Sequence, residues 1–372
     1  MNFIFLTLIS LLISFNSSAT ELYQTGLPAR CWAMGATCIT QVRGAQSLFI
    51  NPAFLARMEG FDFILAQAQA GISKDGQALA NQLQGSSSTI SLQDIASLYG
   101  KTITADVTAR GGIALPYFGL GAYSNNYLSE TFQNPTFPTF NANFISDYGY
   151  FIAGAIPIGE NTSFGVSARH ARRWGGTKDI NVSSLVGASG PNMIDQNFPD
   201  HGVGNAIDLS FATSFPKAAL KPTIAVVWND VGTTQYKMTS GTQDPPAQKD
   251  NLNFGISIEH DFLAASWTHA LEYKFIGTNN EDFSKKIHLG TEASYGVLDL
   301  RGGFSQGYLT YGAGLDLWIL KADVAYYAVE LGTYAGQTRN DRYQYSITLE
   351  LDFDQSFKLD FQGKKRRLKQ RR

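Results

Sequence analysis

From Tyr343 to Phe353 the chain alternates with period two. Tyr343, Tyr345, Ile347, Leu349, Leu351 and Phe353 occupy one set of positions, and Arg342, Gln344, Ser346, Thr348, Glu350 and Asp352 the other. A strand turns successive side chains to opposite faces, so this run meets oil on one side and water on the other. A length of about ten residues between aromatic ends is that of a tilted strand crossing a bilayer. The same alternation predicts about fourteen strands, near 61–72, 103–115, 117–125, 145–157, 161–173, 203–215, 221–230, 250–262, 264–276, 284–295, 296–306, 308–319, 320–330 and 342–353. In 250–262, Leu252, Phe254, Ile256 and Ile258 oppose Asn251, Asn253, Ser257 and Glu259. In 264–276, Trp267, Leu271, Tyr273 and Phe275 oppose Ser266, Thr268, Glu272 and Lys274. The first run, Phe61 to Ile72, alternates weakly.

The links alternate as well. Short ones fall around 116, 158–160, 216–220, 262–263, 295–296 and 320; most of those between are long, at 73–102, 126–144, 174–202, 231–249 and 331–341. Outer-membrane barrels have short periplasmic turns and longer outer loops. The pattern therefore predicts an all-β fold, a membrane-spanning antiparallel β-barrel of about fourteen strands with both termini periplasmic. A tight turn at 306–307 is the exception among the outer links. Within 73–102, Ser91 caps a run with Leu92, Ile95, Ala96 and Leu98 on one face, which predicts a short amphipathic helix over 91–99.

Composition agrees. Charged residues are 16% of the 372, and aromatics 13%, a low-charge, aromatic-rich balance that suits a barrel wall and leaves no internal run fit for a membrane helix. The apolar run from Phe3 to Phe15, followed by Ser17 and Ala19, reads as an export signal cut after residue 19. An exported barrel belongs in a bacterial outer membrane. The chain then divides into a signal at 1–19, an N-terminal segment at 20–60, the barrel at 61–353 and a tail at 354–372. The tail ends with seven Lys or Arg in the nine positions from Lys364. Two readings of it stand: a solvated end, or a periplasmic segment that binds anionic lipid headgroups, envelope polymers or an acidic protein. The export signal argues against nucleic acid as its partner. Cys31 and Cys38 are the only cysteines; a disulfide across this short loop and two buried free thiols are both open. No His, Cys or carboxylate spacing suggests a metal or another cofactor.

Residues 29–55 have small side chains, no clear period and an Asn51-Pro52-Ala53 turn. Such a segment needs outside support, which a barrel lumen would supply. Here Met34-Gly35-Ala36 and Ser47-Leu48-Phe49-Ile50-Asn51-Pro52-Ala53 resemble the N-terminal hatch of FadL-type barrels, the long-chain fatty-acid channels with their PorV-like and TraF-like relatives. Gly303-Phe304-Ser305-Gln306-Gly307, Gly312-Ala313-Gly314, Asn229-Asp230-Val231-Gly232 and the run from Glu330 to Gln337 are similar too. The resemblance implies a fourteen-stranded barrel with a hatch in its lumen, carrying Asn51, Pro52 and Ala53 as hatch residues. It also implies passive passage of small hydrophobic molecules across the outer membrane. The PorV-like relatives imply an alternative, a non-transporting barrel that serves a secretion or envelope complex as anchor or shuttle.

Carrying the face assignments through places Asp106, Arg110, Arg169, Asp208, Glu259, Glu272, Lys274, Lys286, His288, Glu292, Asp299, Arg301, Asp316, Arg342 and Glu350 towards the lumen. They form either a cross-strand ion-pair network that stiffens the wall and holds the hatch, or a polar lining that selects a permeant. His260 and His269 fall on the lipid face. No Gly-x-Ser-x-Gly elbow or other catalytic pattern occurs, so no catalytic residue is assigned and an enzyme is not expected.

Overall fold

The computed structural model describes residues 21–22, 24, 26–85, 98–133, 139–181, 191–262, 264–278 and 281–353. The expected signal at 1–19, the tail at 354–372 and most of the expected helix at 91–99 lie outside these residues.

Fifteen strands follow one another: β1 (Phe61–Ser73), β2 (Thr102–Leu115), β3 (Phe118–Gln133), β4 (Thr139–Ile158), β5 (Thr162–Asn181), β6 (His201–Ser214), β7 (Thr223–Asn229), β8 (Lys237–Ser240), β9 (Asn251–Phe262), β10 (Ala265–Ile276), β11 (Ile287–Tyr295), β12 (Leu298–Ser305), β13 (Tyr308–Leu317), β14 (Leu320–Glu330) and β15 (Arg339–Phe353). All pairings are antiparallel. β1 pairs with β15 and β5 with β6, which closes the ring; β8 pairs only with β6, so fourteen of the fifteen strands make the wall. Closure leaves no open sheet edge, the condition for crossing lipid with strands.

The wall is inside out relative to a soluble protein. In β15, Arg342, Gln344, Ser346, Thr348 and Glu350 are buried, while Tyr345, Ile347 and Leu349 are exposed, Ile347 at 57%. Polar groups face a filled interior and apolar groups face the lipid.

Two departures from the sequence reading have clear causes. β1 alternates weakly because its register shifts between Ile64 and Ala66, where Leu65 bulges outward. The bulge reverses the phase, so Asp62 and Ile64 point inward before it and Gln67, Gln69 and Ser73 after it. The expected strand at 284–295 starts only at Ile287: Asp282 accepts from the Ser284 amide at 2.9 Å and sets a 3-10 turn over Phe283–Lys285. Lys286 lies just before the strand: its carbonyl accepts the Lys274 amide of β10 at 2.9 Å, while its Nζ donates to the Thr278 carbonyl at 2.6 Å in the loop.

β3, β4 and β5 run well past the expected ends and take in residues expected to be loop. Above the lipid the outward faces of these extensions are covered by the chain itself. Phe132, Phe140 and Ile180 form one buried cluster with Leu98 and Phe198.

Candidate functional site

The lumen is occupied by residues 26–57. Short helices at Ala29–Ala33 and Ser47–Ile50 and a 3-10 run at Pro52–Arg57 are joined by irregular backbone. Their polar groups are satisfied from all round the ring. The Ala29 amide donates to Gln69 of β1 (3.2 Å), the Gly35 amide to Thr310 of β13 (2.9 Å), and the Ala45 amide to Asp62 of β1 (2.6 Å). Glu272 of β10 accepts the Cys38 and Ile39 amides at 2.5 and 2.7 Å. A segment bonded to opposite walls lies inside them. Cys31 and Cys38 are joined by a disulfide, with Cα atoms 5.5 Å apart.

Asn51, Pro52 and Ala53 make one fully supported turn. Asn51 is buried; its side-chain amide donates to the Ile39 carbonyl at 2.7 Å, and its oxygen accepts the Ala53 amide. Pro52 opens the 3-10 run, where a missing N–H costs nothing. The Ala53 amide also reaches Ser210 of β6 at 3.0 Å. This backbone lies so near β5 that a Cβ on Gly165 would sit 2.3 Å from the Ala53 nitrogen. A side chain at Gly165 would force the turn or β5 to shift.

Of the expected inward charges, several hold this plug. Arg30 forks onto Glu292 at 2.6 and 2.8 Å. Arg110 donates to the Gly26 carbonyl at 2.6 Å, Lys274 to Gln24 at 3.3 Å, and Arg342 pairs with Glu21 at 2.7 Å. A ring nitrogen of His288 lies 2.9 Å from the Gly35 carbonyl, and Glu259 pairs with Arg43. Burial opposes the charge on Arg30, but the facing Glu292 outweighs it and holds the guanidinium charged above its usual range.

The others tie strand to strand. Arg301 reaches Glu292 (2.5 Å), Asp299 (2.7 Å) and Asp323 (2.6 Å). Asp106 accepts from Gln344 at 2.9 Å, and Glu350 pairs with Lys321 at 2.9 Å. Asp316, at the foot of β13, is half exposed. Arg169 lies between Asp208 and Asp230 at 3.6 and 2.6 Å. Burial raises the Asp230 pKa, with Arg169 acting against it.

A second closure was missed. Arg173 forks onto Asp147 at 2.7 and 2.5 Å, donates to the Pro246 carbonyl and to Gln248, and covers the Tyr236 ring at 4.3 Å. It straps the 231–249 link across the long-loop end, where a bridge between Thr234 and Gln248 and the short β8 give that link structure. The alternation that found Arg169 contains Asp147 and Arg173 too. Asp62 was lost through the Leu65 bulge, and Arg30 has no periodic signal.

Between plug and wall, at the long-loop end, is a small cavity lined by Leu22, Gln24, Leu27, Trp32 and Ala36 of the N-terminal segment and by Lys274, Phe275, His288 and Gln306 of the wall. It has room for about one water molecule. Among the described residues, no three His, Cys, Asp or Glu side chains converge as metal ligands.

No family model matches the chain, and no curated protein matches its sequence. Solved structures do match. The CymD monoaromatic hydrocarbon channel is 13% identical at a TM-score of 0.52, over 88% of this chain and 98% of that one. A TodX deletion mutant, also a monoaromatic hydrocarbon channel, is 12% identical at 0.50, over 89% and 99%. A FadL homologue of Pseudomonas aeruginosa is 11% identical at 0.50, over 91% and 100%. In fold, the chain is similar to these FadL-type channels, a closed antiparallel β-barrel of fourteen strands.

Proposed function

We propose that this barrel is a passive route for small hydrophobic molecules across the outer membrane, closed at rest by the N-terminal plug. The observation that carries the reading is the cavity between plug and wall, whose N-terminal side is apolar at Leu22, Leu27, Trp32 and Ala36, with Gln24 as its one polar side chain. The wall side brings Lys274, His288 and Gln306, so an apolar guest would lie against the N-terminal side once movement of the plug widens the space. The similar structures are named as monoaromatic hydrocarbon channels, and a guest of that size suits a narrow site. The short-turn end and both termini face the periplasm in this reading, and the basic tail binds anionic surfaces there. Uptake of labelled toluene by cells with and without the protein is the test. Faster uptake that saturates supports the route, and identical uptake refutes it.

A second reading has its own support. The lumen is strapped at both levels, by Arg30 on Glu292 and by Arg173 on the Pro246 carbonyl and Gln248. A permanently closed barrel would serve as an anchor for an envelope complex. Unchanged uptake together with a co-purifying envelope protein would favour it.

A further inference from the structure

The cavity between plug and wall has a polar side whose hydrogen-bonding capacity is only partly used. Gln306 is fully engaged: its side-chain amide donates to the Leu22 carbonyl at 2.8 Å, and its oxygen accepts the Glu330 amide at 2.8 Å. His288 is engaged on one edge of its ring. Its Nδ1 lies 2.9 Å from the Gly35 carbonyl and 3.0 Å from Ser305 Oγ, whereas its Nε2 is buried and has no partner among the described residues. A carbonyl oxygen only accepts, so Nδ1 carries the ring proton, and Nε2 of the neutral ring is left as an acceptor.

Lys274, on the neighbouring strand β10, lines the same space. Its Nζ donates to Gln24 at 3.3 Å and lies 3.6 Å from Glu272 Oε2, too far for a hydrogen bond. An ammonium has three N–H groups, so donor capacity remains. The cavity thus offers an unpaired acceptor and an underused donor, and its volume, that of about one water molecule, brings a group placed there within reach of both.

A buried polar atom without a partner is costly, so a guest that pairs with these atoms is favoured over one that strands them. A hydroxyl group donates and accepts with one oxygen, to Nε2 and from Nζ. A hydrocarbon does neither. A carboxylate cannot donate to Nε2, and its charge meets no spare counter-charge, because the Lys274 ammonium already faces Glu272. Beside this polar spot, Leu22, Leu27, Trp32 and Phe275 suit an apolar body.

We infer that His288 and Lys274 form a hydroxyl-recognition site, and that the favoured guest is a small apolar molecule bearing one hydroxyl group, of the alkylphenol class. The inference rests on the transport reading and narrows its substrate class.

The test uses three probes of one shape: p-cresol, p-xylene and p-toluate, which differ only in a hydroxyl, a methyl or a carboxylate. Each is used to inhibit labelled toluene flux through the full-length barrel in vesicles, at matched concentrations in the membrane. p-Cresol is expected to inhibit at a concentration about tenfold below that of p-xylene, the scale of one buried hydrogen bond, with p-toluate the weakest. His288→Phe, which keeps the ring and removes Nε2, should bring p-cresol level with p-xylene. Equal inhibition by p-cresol and p-xylene in the wild type would overturn the inference and leave the route standing. So would p-toluate as the strongest inhibitor, or a p-cresol advantage that survives in His288→Phe. If His288→Phe does not assemble, the order of the three probes on the wild type decides. A wild type that passes no toluene would sink the transport reading. Thermal unfolding then tests the site by itself: stabilisation of the wild-type barrel by p-cresol beyond that by p-xylene supports it, and equal shifts overturn it.

Discussion

Arg30 of the plug and Arg301 of β12 grip the same carboxylate, Glu292 of β11, at 2.6 and 2.5 Å. Removing Arg30 therefore frees the plug without leaving a bare buried charge. Arg30→Ala is expected to cost roughly 2 kcal/mol, the scale of hydrogen bonds to a charged group. The loss should fall on the plug alone. Hydrogen exchange should rise across residues 29–57 while strand amides stay protected. Glu292→Gln, which weakens both grips, should cost more. Unchanged exchange in Arg30→Ala would show that the pair does not hold the plug.

The Cys31–Cys38 disulfide closes a short loop whose sulfurs are buried in the lumen. Replacing both residues by Ser should loosen the plug by about 2 kcal/mol, on the loop-closure account of cross-links. In the folded wild-type protein the bond should resist reductant. After reduction in denaturant, mass tags should attach to both thiols. Tagging of the folded protein would mean that the segment is more open than the structure shows.

The faces of the wall were legible in the sequence because lipid demands apolar side chains at every outward position. That rule holds only within the bilayer. Past it, outward positions such as Asn126 and Glu130 are no longer apolar, so the extension of β3 reads as a loop. One inserted residue at Leu65 hid the phase of β1. The hatch could be read as a segment in need of support, and its turn at Asn51 was visible. Its fastening was not visible, because a bond from Glu272 to the amides of Cys38 and Ile39 spans more than two hundred residues and follows no period.

Ile347 faces lipid near mid-height on β15, 57% exposed, and pairs with Ala68 and Ala322. Ile347→Arg should cost roughly 2–4 kcal/mol in a bilayer. Urea unfolding in lipid vesicles measures it. The neighbouring Thr348 makes no cheap control, since it is buried and accepts from Gln67 at 2.8 Å. Ile347→Ala serves better and should cost much less than Arg.

Arg173→Ala removes the strap at the long-loop end and leaves Asp147 without its partner. Loss of one member of a buried pair costs roughly 3 kcal/mol or more. The 231–249 link should become open to protease in the folded barrel. Adding Asp147→Asn should recover part of the stability but not the protease resistance. A link that stays protected would show that β8 and the Thr234–Gln248 bridge hold it without Arg173.

The most direct test of the account is toluene flux into vesicles holding the purified barrel, measured for the wild type, for Arg30→Ala and for a variant with the plug cross-linked to β11. The account predicts measurable flux in the wild type, faster flux in Arg30→Ala and none above bare lipid in the cross-linked form. Equal flux in all three would contradict it, because permeation would then owe nothing to the plug.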